Sequence, residues 1–391
     1  MTAKEIMLRF IRAAVFGCEI DQDEIKTIRD SLDEKTLEEL YDLSSSHNIA
    51  QVVGYCLSEY SLASDESAVT KRLLKTRFKA AFRADKIMKE TALICDTLED
   101  AEIEHIALKG AVMRGLYPKP WMRTSCDVDV LVREADLDRA VQVLVDKLGY
   151  TAENKRAYHD ISLYSPDNKV HLELHFSIKE NMDKIDSALS RAWEYTVSVA
   201  EKKYERRFTD EFFLFHLLAH TLYHFIKGGC GVRSLIDIKL FKDNVVVDQK
   251  GLNALLKECG IEKFSRACDD LGRVWFESAP ATELMQNMDD YVISGRVYGT
   301  VSNAVAMTRA KKGGETSYFL SRVFLPRNKL SAIYPILNER GYLTPVCQVA
   351  RWFTVFDKKK SHKIKREMQI NASLEDDRII RAQRLLEELE L

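Results

Sequence analysis

No uninterrupted apolar run in these 391 residues approaches the ~20 needed to cross a bilayer as a helix, so membrane-spanning helices are not expected. No Cys-x-x-Cys pair occurs among the eight cysteines, which fits reduced thiols in a cytoplasm rather than a disulfide framework. An excess of one charge is missing too. The 58 Lys and Arg against 60 Asp and Glu leave a formal net charge of −2, too balanced for a whole-protein nucleic-acid footprint. Internal repeats and low-complexity tracts are absent. The opening MTAKEIMLRFIRAAVFG places charges among its apolar residues and has no small-residue cleavage pattern, so it reads as an amphipathic helix and not as a leader. What is present is ordinary for a globular chain: 46% hydrophobic and 30% charged residues, at a length that suggests two or three packed units.

The informative segment runs IEHIALKGAVMRGLYPKPWMRTSCDVDVLV from Ile103. Its last part, from Cys126 to Val132, is Val-rich and bounded by a loop, which predicts a buried strand. Residues two apart on a strand share a face. Asp127 and Asp129 therefore point the same way, while Val128 and Val130 point into a core. Paired carboxylates repel and call for positive charge between them, which a divalent metal supplies while also clamping phosphate. An exposed strand face carrying two acids is the plainer alternative. Upstream, Lys109-Gly110 stands where a strand from Ile103 to Leu108 turns into a helix, a place where backbone N–H groups can receive a phosphate. Downstream, Lys169 to Ile178 alternates strictly, with His171, Glu173 and His175 on one face and Leu172, Leu174 and Phe176 on the other. Glu173 is the candidate third carboxylate of a metal site.

Lys109-Gly110, Arg123, Asp127-x-Asp129 and Glu173-x-His175 together resemble the nucleotidyltransferases of the DNA polymerase β superfamily. More closely, the chain is similar to the uncharacterised nucleotidyltransferases of the NTP_transf_5 type, through Leu108-Lys109-Gly110, Tyr117, Arg123, Asp127 to Val132 and Glu173-Leu174-His175-Phe176. The resemblance extends over helices around His220 and Asp237, Phe324-Leu325-Pro326, and Tyr334 to Arg351. It implies transfer of NMP from an NTP such as ATP to a hydroxyl acceptor, which is a small molecule, a protein or an RNA. It also implies Mg²⁺ or Mn²⁺ on Asp127, Asp129 and Glu173. Lys109 and Gly110 would then cradle the triphosphate, Arg123 would neutralise the leaving pyrophosphate, and His175 would orient Glu173 or meet the acceptor. His224 and Asp237 would bind the base or ribose. Ala111 departs from the superfamily, which usually has Ser or Gly after the glycine. A nucleotide-binding module without turnover and a metal-dependent hydrolase are the alternatives.

The expected architecture is α+β, a small mixed-sheet core flanked by helical regions. Residues 1–101 read as helical and 102–178 as the core. Residues 179–356 read as a helical domain forming the other wall of a cleft, and 357–391 as a basic linker with a C-terminal helix. Within the third region His216, His220 and His224 recur every fourth residue on one helix stripe, with His216 outermost. Zinc signatures add a glutamate base or cysteines, and neither is suitably placed here. Arg233 and Asp237 stand four apart on the next helix, where an intrahelical ion pair is the alternative to ligand binding.

Overall fold

The computed structural model describes residues 1–62, 67–153, 159–313, 315–331, 333–354, 366–367 and 369–391. Contacts divide them into two units, one of residues 1–223 with 231–285 and one of 224–230 with 286–391. The boundaries expected at 101/102 and 178/179 both fall inside the first unit.

The first unit opens on five helices: α1 (Ala3–Phe16), α2 (Gln22–Ser31), α3 (Glu34–Ser46), α4 (Ala50–Glu59) and α5 (Ala68–Asp100). Local chemistry sets most of their ends. The Thr2 hydroxyl accepts from Glu5 N–H while Glu5 reaches back to Thr2 N–H, closing a capping box. Asp21, Asp33 and Ser67 accept from the first-turn amides of α2, α3 and α5.

A seven-stranded sheet follows: β1 (His105–Ala107), β2 (Asp127–Val132), β3 (Thr151–Ala152), β4 (Asp160–Tyr164), β5 (His171–His175), β6 (Thr196–Ser198) and β7 (Glu205–Phe208). Their spatial order is β3-β4-β5-β2-β1-β7-β6. The β2–β5 and β1–β7 pairs are parallel and the other four antiparallel, so the sheet is mixed and the fold α+β. It reaches past residue 178, because β6 and β7 lie in a stretch that sequence reads as helical.

One sheet face is the core. Val128, Val130, Val132, Leu163, Leu172 and Leu174 pack beneath Ile87, Ile94 and Leu98 of α5 and beneath Leu137, Ala140 and Leu144 of α7 (Leu137–Leu148). Burying a side chain of that size stabilises by about 1.5–3 kcal/mol. Alternation along β2 and β5 therefore forces Asp127, Asp129, Glu173 and His175 onto the opposite face. The one-turn helix α6 (Gly110–Arg114) connects β1 towards β2, and the long helices Asp210–Ile226 and Gly231–Asn244 follow β7.

In the second unit Leu330, Leu337 and Cys347 form a small apolar cluster. Arg309 donates to the Asn371 carbonyl at 2.9 Å and Arg381 pairs with Asp290 at 3.0 Å. Helix Val301–Lys312 closes on Gly313, and Gly314 lies outside the described residues. The basic run Lys358–Arg366 also lies outside them, except for Arg366. Among the described residues no helix is long and apolar enough to cross a membrane.

Candidate active site

Parallel pairing of β2 with β5 sets Asp127 opposite His171 and Asp129 opposite Glu173. On the same face, His175 brings its Nε2 to 3.2 Å from Asp129 Oδ1 and 3.5 Å from Glu173 Oε2. Ligand-capable atoms of Asp129, Glu173 and His175 all lie within 4.8 Å of one another.

The charges here are strongly coupled. Burial raises the Asp127 carboxyl above its usual range, and the negative charges of Asp129 and Glu173 raise it further against Arg233. Asp129 goes the other way. Burial opposes its ionisation, but the hydrogen bond and charge of His175, followed by Lys109 and His220, hold it well below the carboxylate range. Burial likewise opposes protonation of His175, yet its bonds to Asp129 and Glu173 raise it to about 9. The His175 imidazolium thus neutralises the paired carboxylates. Its ring stacks on His159 at 5.4 Å, and His171 stacks on Tyr164 at 4.9 Å.

Basic groups line the neighbouring segment. Lys109 Nζ lies 2.9 Å from His220 Nδ1, and that nitrogen lies 2.6 Å from Glu180 Oε1. Gly110 is buried because two guanidiniums close on it. A Cβ there would stand 3.2 Å from Arg123 Nη1 and 3.5 Å from both terminal nitrogens of Arg114. Arg123 is held from behind, with Nε and Nη2 donating to Asp237 Oδ2 at 3.0 and 2.9 Å and Tyr117 donating to Asp237 Oδ1 at 2.7 Å. Nη1 is the guanidinium nitrogen turned to Gly110. Arg114 is 4% exposed, donates to Ser125 Oγ, and is lowered to about 10 by burial and then by Arg123, against the attraction of Asp127 and Asp129.

Several expectations change against this geometry. Asp237 does not pair with Arg233 along its helix. It pairs with Arg123, and Arg233 instead donates to the Thr124 carbonyl at 2.8 Å. Tertiary packing offered Asp237 a buried bidentate partner, which outweighs an intrahelical pair worth a few tenths of a kcal/mol. The histidine stripe does not act as a set. His216 is 1% exposed, touches Phe208 edge-on and is held neutral by burial, so it is an inner residue, not the outermost one. His220 meets Lys109 and Glu180, and His224 belongs to the second unit. The Gly110 helix is a single turn, so little macrodipole is available there to an anion.

Sequence reasoning passed over Arg114 and Glu180. Arg114 had a signal, a lone charge in the apolar run AVMRGLY four residues after Gly110. Glu180 had none, since nothing local ties it to His220.

Residues 33–277 match a family described as uncharacterised nucleotidyltransferase. The segments at 324–326 and 334–351 fall outside that match. Comparison with curated proteins gives no match. Among solved structures, the chain is similar to an antigenic nucleotidyltransferase-like protein from Paracoccidioides brasiliensis, with 14% identity and a TM-score of 0.32. That similarity covers 51% of this chain and 96% of the other.

Proposed function

Since the chain belongs to the uncharacterised nucleotidyltransferase family, we propose that it moves NMP from an NTP to an acceptor hydroxyl and releases pyrophosphate. The observation that carries this is the pairing of Asp129 with Glu173 across adjacent parallel strands, beside Asp127 and facing His175. The donor set fits a divalent metal. Asp127 is raised by its neighbours and gains from an added positive charge, and the oxygens of Asp127, Asp129 and Glu173 suit Mg²⁺ or Mn²⁺. When bound, such an ion clamps phosphate oxygens and makes an acceptor hydroxyl more acidic for in-line attack at the α-phosphorus.

The remaining work belongs to the chain. Asp127, Asp129 and Glu173 would hold the metal, and Glu173 would take the acceptor proton. His175 orients both Asp129 and Glu173. Lys109, fixed by His220 and Glu180, presents a point charge to the triphosphate. Arg123 presents Nη1, with its other nitrogens fixed by Asp237, and Arg114 stands beside it, so negative charge on the leaving pyrophosphate meets preorganised donors.

Calorimetry with a nonhydrolysable NTP tests the reading. Binding is expected only with Mg²⁺ or Mn²⁺, weakened about 10-fold by Lys109→Ala through loss of one charge-assisted contact. In Asp129→Asn, transfer from labelled NTP into cell extract should vanish while the melting curve shows the protein still folded. Equal binding without metal, or full transfer by the folded D129N protein, would refute it. A metal-dependent binder that labels nothing would instead be the module without turnover.

A further inference from the structure

On the other face of the sheet, remote in register from Asp129, a second set of ligand-type side chains converges. Ligand-capable atoms of Cys95, His105 and Glu205 all lie within 4.8 Å of one another. Three elements deliver them: α5, β1 and β7. Parallel pairing puts His105 directly beside Glu205, and antiparallel pairing puts His105 beside Val132, a residue of the core packed under α5. The trio thus lies between α5 and the sheet.

Two details set this cluster apart from a chance grouping. First, His105 is fully buried, and its Nδ1 lies 2.9 Å from the Ile103 carbonyl. A carbonyl can only accept, so Nδ1 carries the proton and Nε2 keeps its lone pair. That Nε2 is buried with no protein partner. An orphaned buried acceptor costs about 1–3 kcal/mol, and a histidine whose Nδ1–H is tied to a carbonyl is oriented as metal-ligating histidines are. Second, the frame is preorganised. The Glu99 carboxylate of α5 accepts the amides of Lys203, Tyr204 and Glu205 at 2.6, 2.9 and 2.8 Å, fixing the start of β7 against α5. Lys202, whose charge acts on both Cys95 and His105, is engaged by Asp96 at 2.6 Å.

We propose that Cys95, His105 and Glu205 form a zinc site that staples α5 to the β1–β7 edge of the sheet. Thiolate, imidazole and carboxylate form a mixed donor set that suits Zn²⁺ and disfavours Mg²⁺, which takes oxygen ligands. Ligands about 2.0–2.3 Å from a tetrahedral ion stand about 3.3–3.8 Å apart, so the side chains close by only about 1 Å. Water fills the fourth position from the side of Glu205, the half-buried member. Burial raises the Cys95 thiol to about 12. Forming the S–Zn bond therefore expels the thiol proton to solvent, and affinity rises with pH.

The full-length protein, stripped with a chelator, is titrated with Co²⁺ and with Zn²⁺. Co²⁺ should produce a thiolate-to-cobalt charge-transfer band that Zn²⁺ bleaches at one equivalent, and Zn²⁺ should raise the melting temperature by about 5 °C or more. The band should be absent in Cys95→Ser, weakened at least 10-fold in affinity in Glu205→Gln, and intact in Asp129→Asn. Glu205 is only half buried, so E205Q decides if C95S does not fold. No charge-transfer band in the wild type, or the same band and affinity in E205Q, would overturn the proposal.

Discussion

Gly110 shows how much of a site can depend on a missing side chain. Two guanidiniums approach its backbone, and one of them, Arg123, cannot retreat because Asp237, itself fixed by the Tyr117 hydroxyl, holds it from behind. A Cβ at 3.2 Å from Arg123 Nη1 must push either the backbone or the Arg123–Asp237 pair. Gly110→Ala should therefore cost about 1–3 kcal/mol of stability, the usual range for overpacking, and weaken metal–NTP binding. Urea unfolding with calorimetry on the same protein checks both. Unchanged values would mean that Arg123 yields and is not preorganised. At this scale Asp127, Asp129, Glu173 and His175 were legible because period-2 alternation is a local property of six- and five-residue runs. The partners of Arg123, Lys109 and His220 were not, because each is more than 35 residues away in the chain.

Among elements, the helical N-terminal region owes its arrangement to a close crossing. Gly54 of α4 lies against α5, where a Cβ would come within 2.8 Å of the Leu73 carbonyl carbon and closer still to its oxygen. Backbone atoms in two packed helices cannot yield as a flexible side chain can. Gly54→Ala should destabilise by about 2–3 kcal/mol despite the better helix propensity of alanine, which is worth up to about 1 kcal/mol. A lower urea midpoint at constant slope would confirm it, whereas a stabilised variant would show that the helices separate freely. Helix α1 was readable from charges interspersed among its apolar residues, and α7 from its 3.6-residue periodicity. Strands β6 and β7 were not. Glu205-Arg-Arg-Phe208 carries no alternation and Thr196–Ser198 is only three residues long, so these strands exist through their partners.

For the molecule as a whole, buried titratable groups shape the response to pH, His175, His216 and Asp129 among them. His175 is raised to about 9 against an unfolded value near 6.5. Its contribution is complete below pH 6.5 and disappears as pH rises through 9, amounting to about 3 kcal/mol. Burial depresses His216, whose contribution is present above 6.5 and is lost as pH falls through its lowered value. Asp129, held low mainly by His175, adds stability that is lost only in strong acid. The metal-free protein should thus be most stable near pH 6.5–7, with a decline towards pH 9 that His175→Gln abolishes. Urea midpoints at pH 6.5 and 9 for both proteins decide it, and an equal decline in the variant would remove His175 as the cause.

The sequence alone determined the fold class, the shared face of Asp127 and Asp129, the third carboxylate on a second alternating strand, and the glycine ahead of them. Each follows from residues near one another in the chain, where side-chain direction is dictated by backbone period. Only the tertiary structure decided that β2 lies beside β5 in the register that faces Asp129 with Glu173, that Asp237 fixes Arg123, and that His216 is interior. It also decided that Cys95, His105 and Glu205 meet behind the sheet. Those outcomes depend on which strands become neighbours and on which buried charges find partners, and pairing across tens of residues leaves no periodic trace in the sequence.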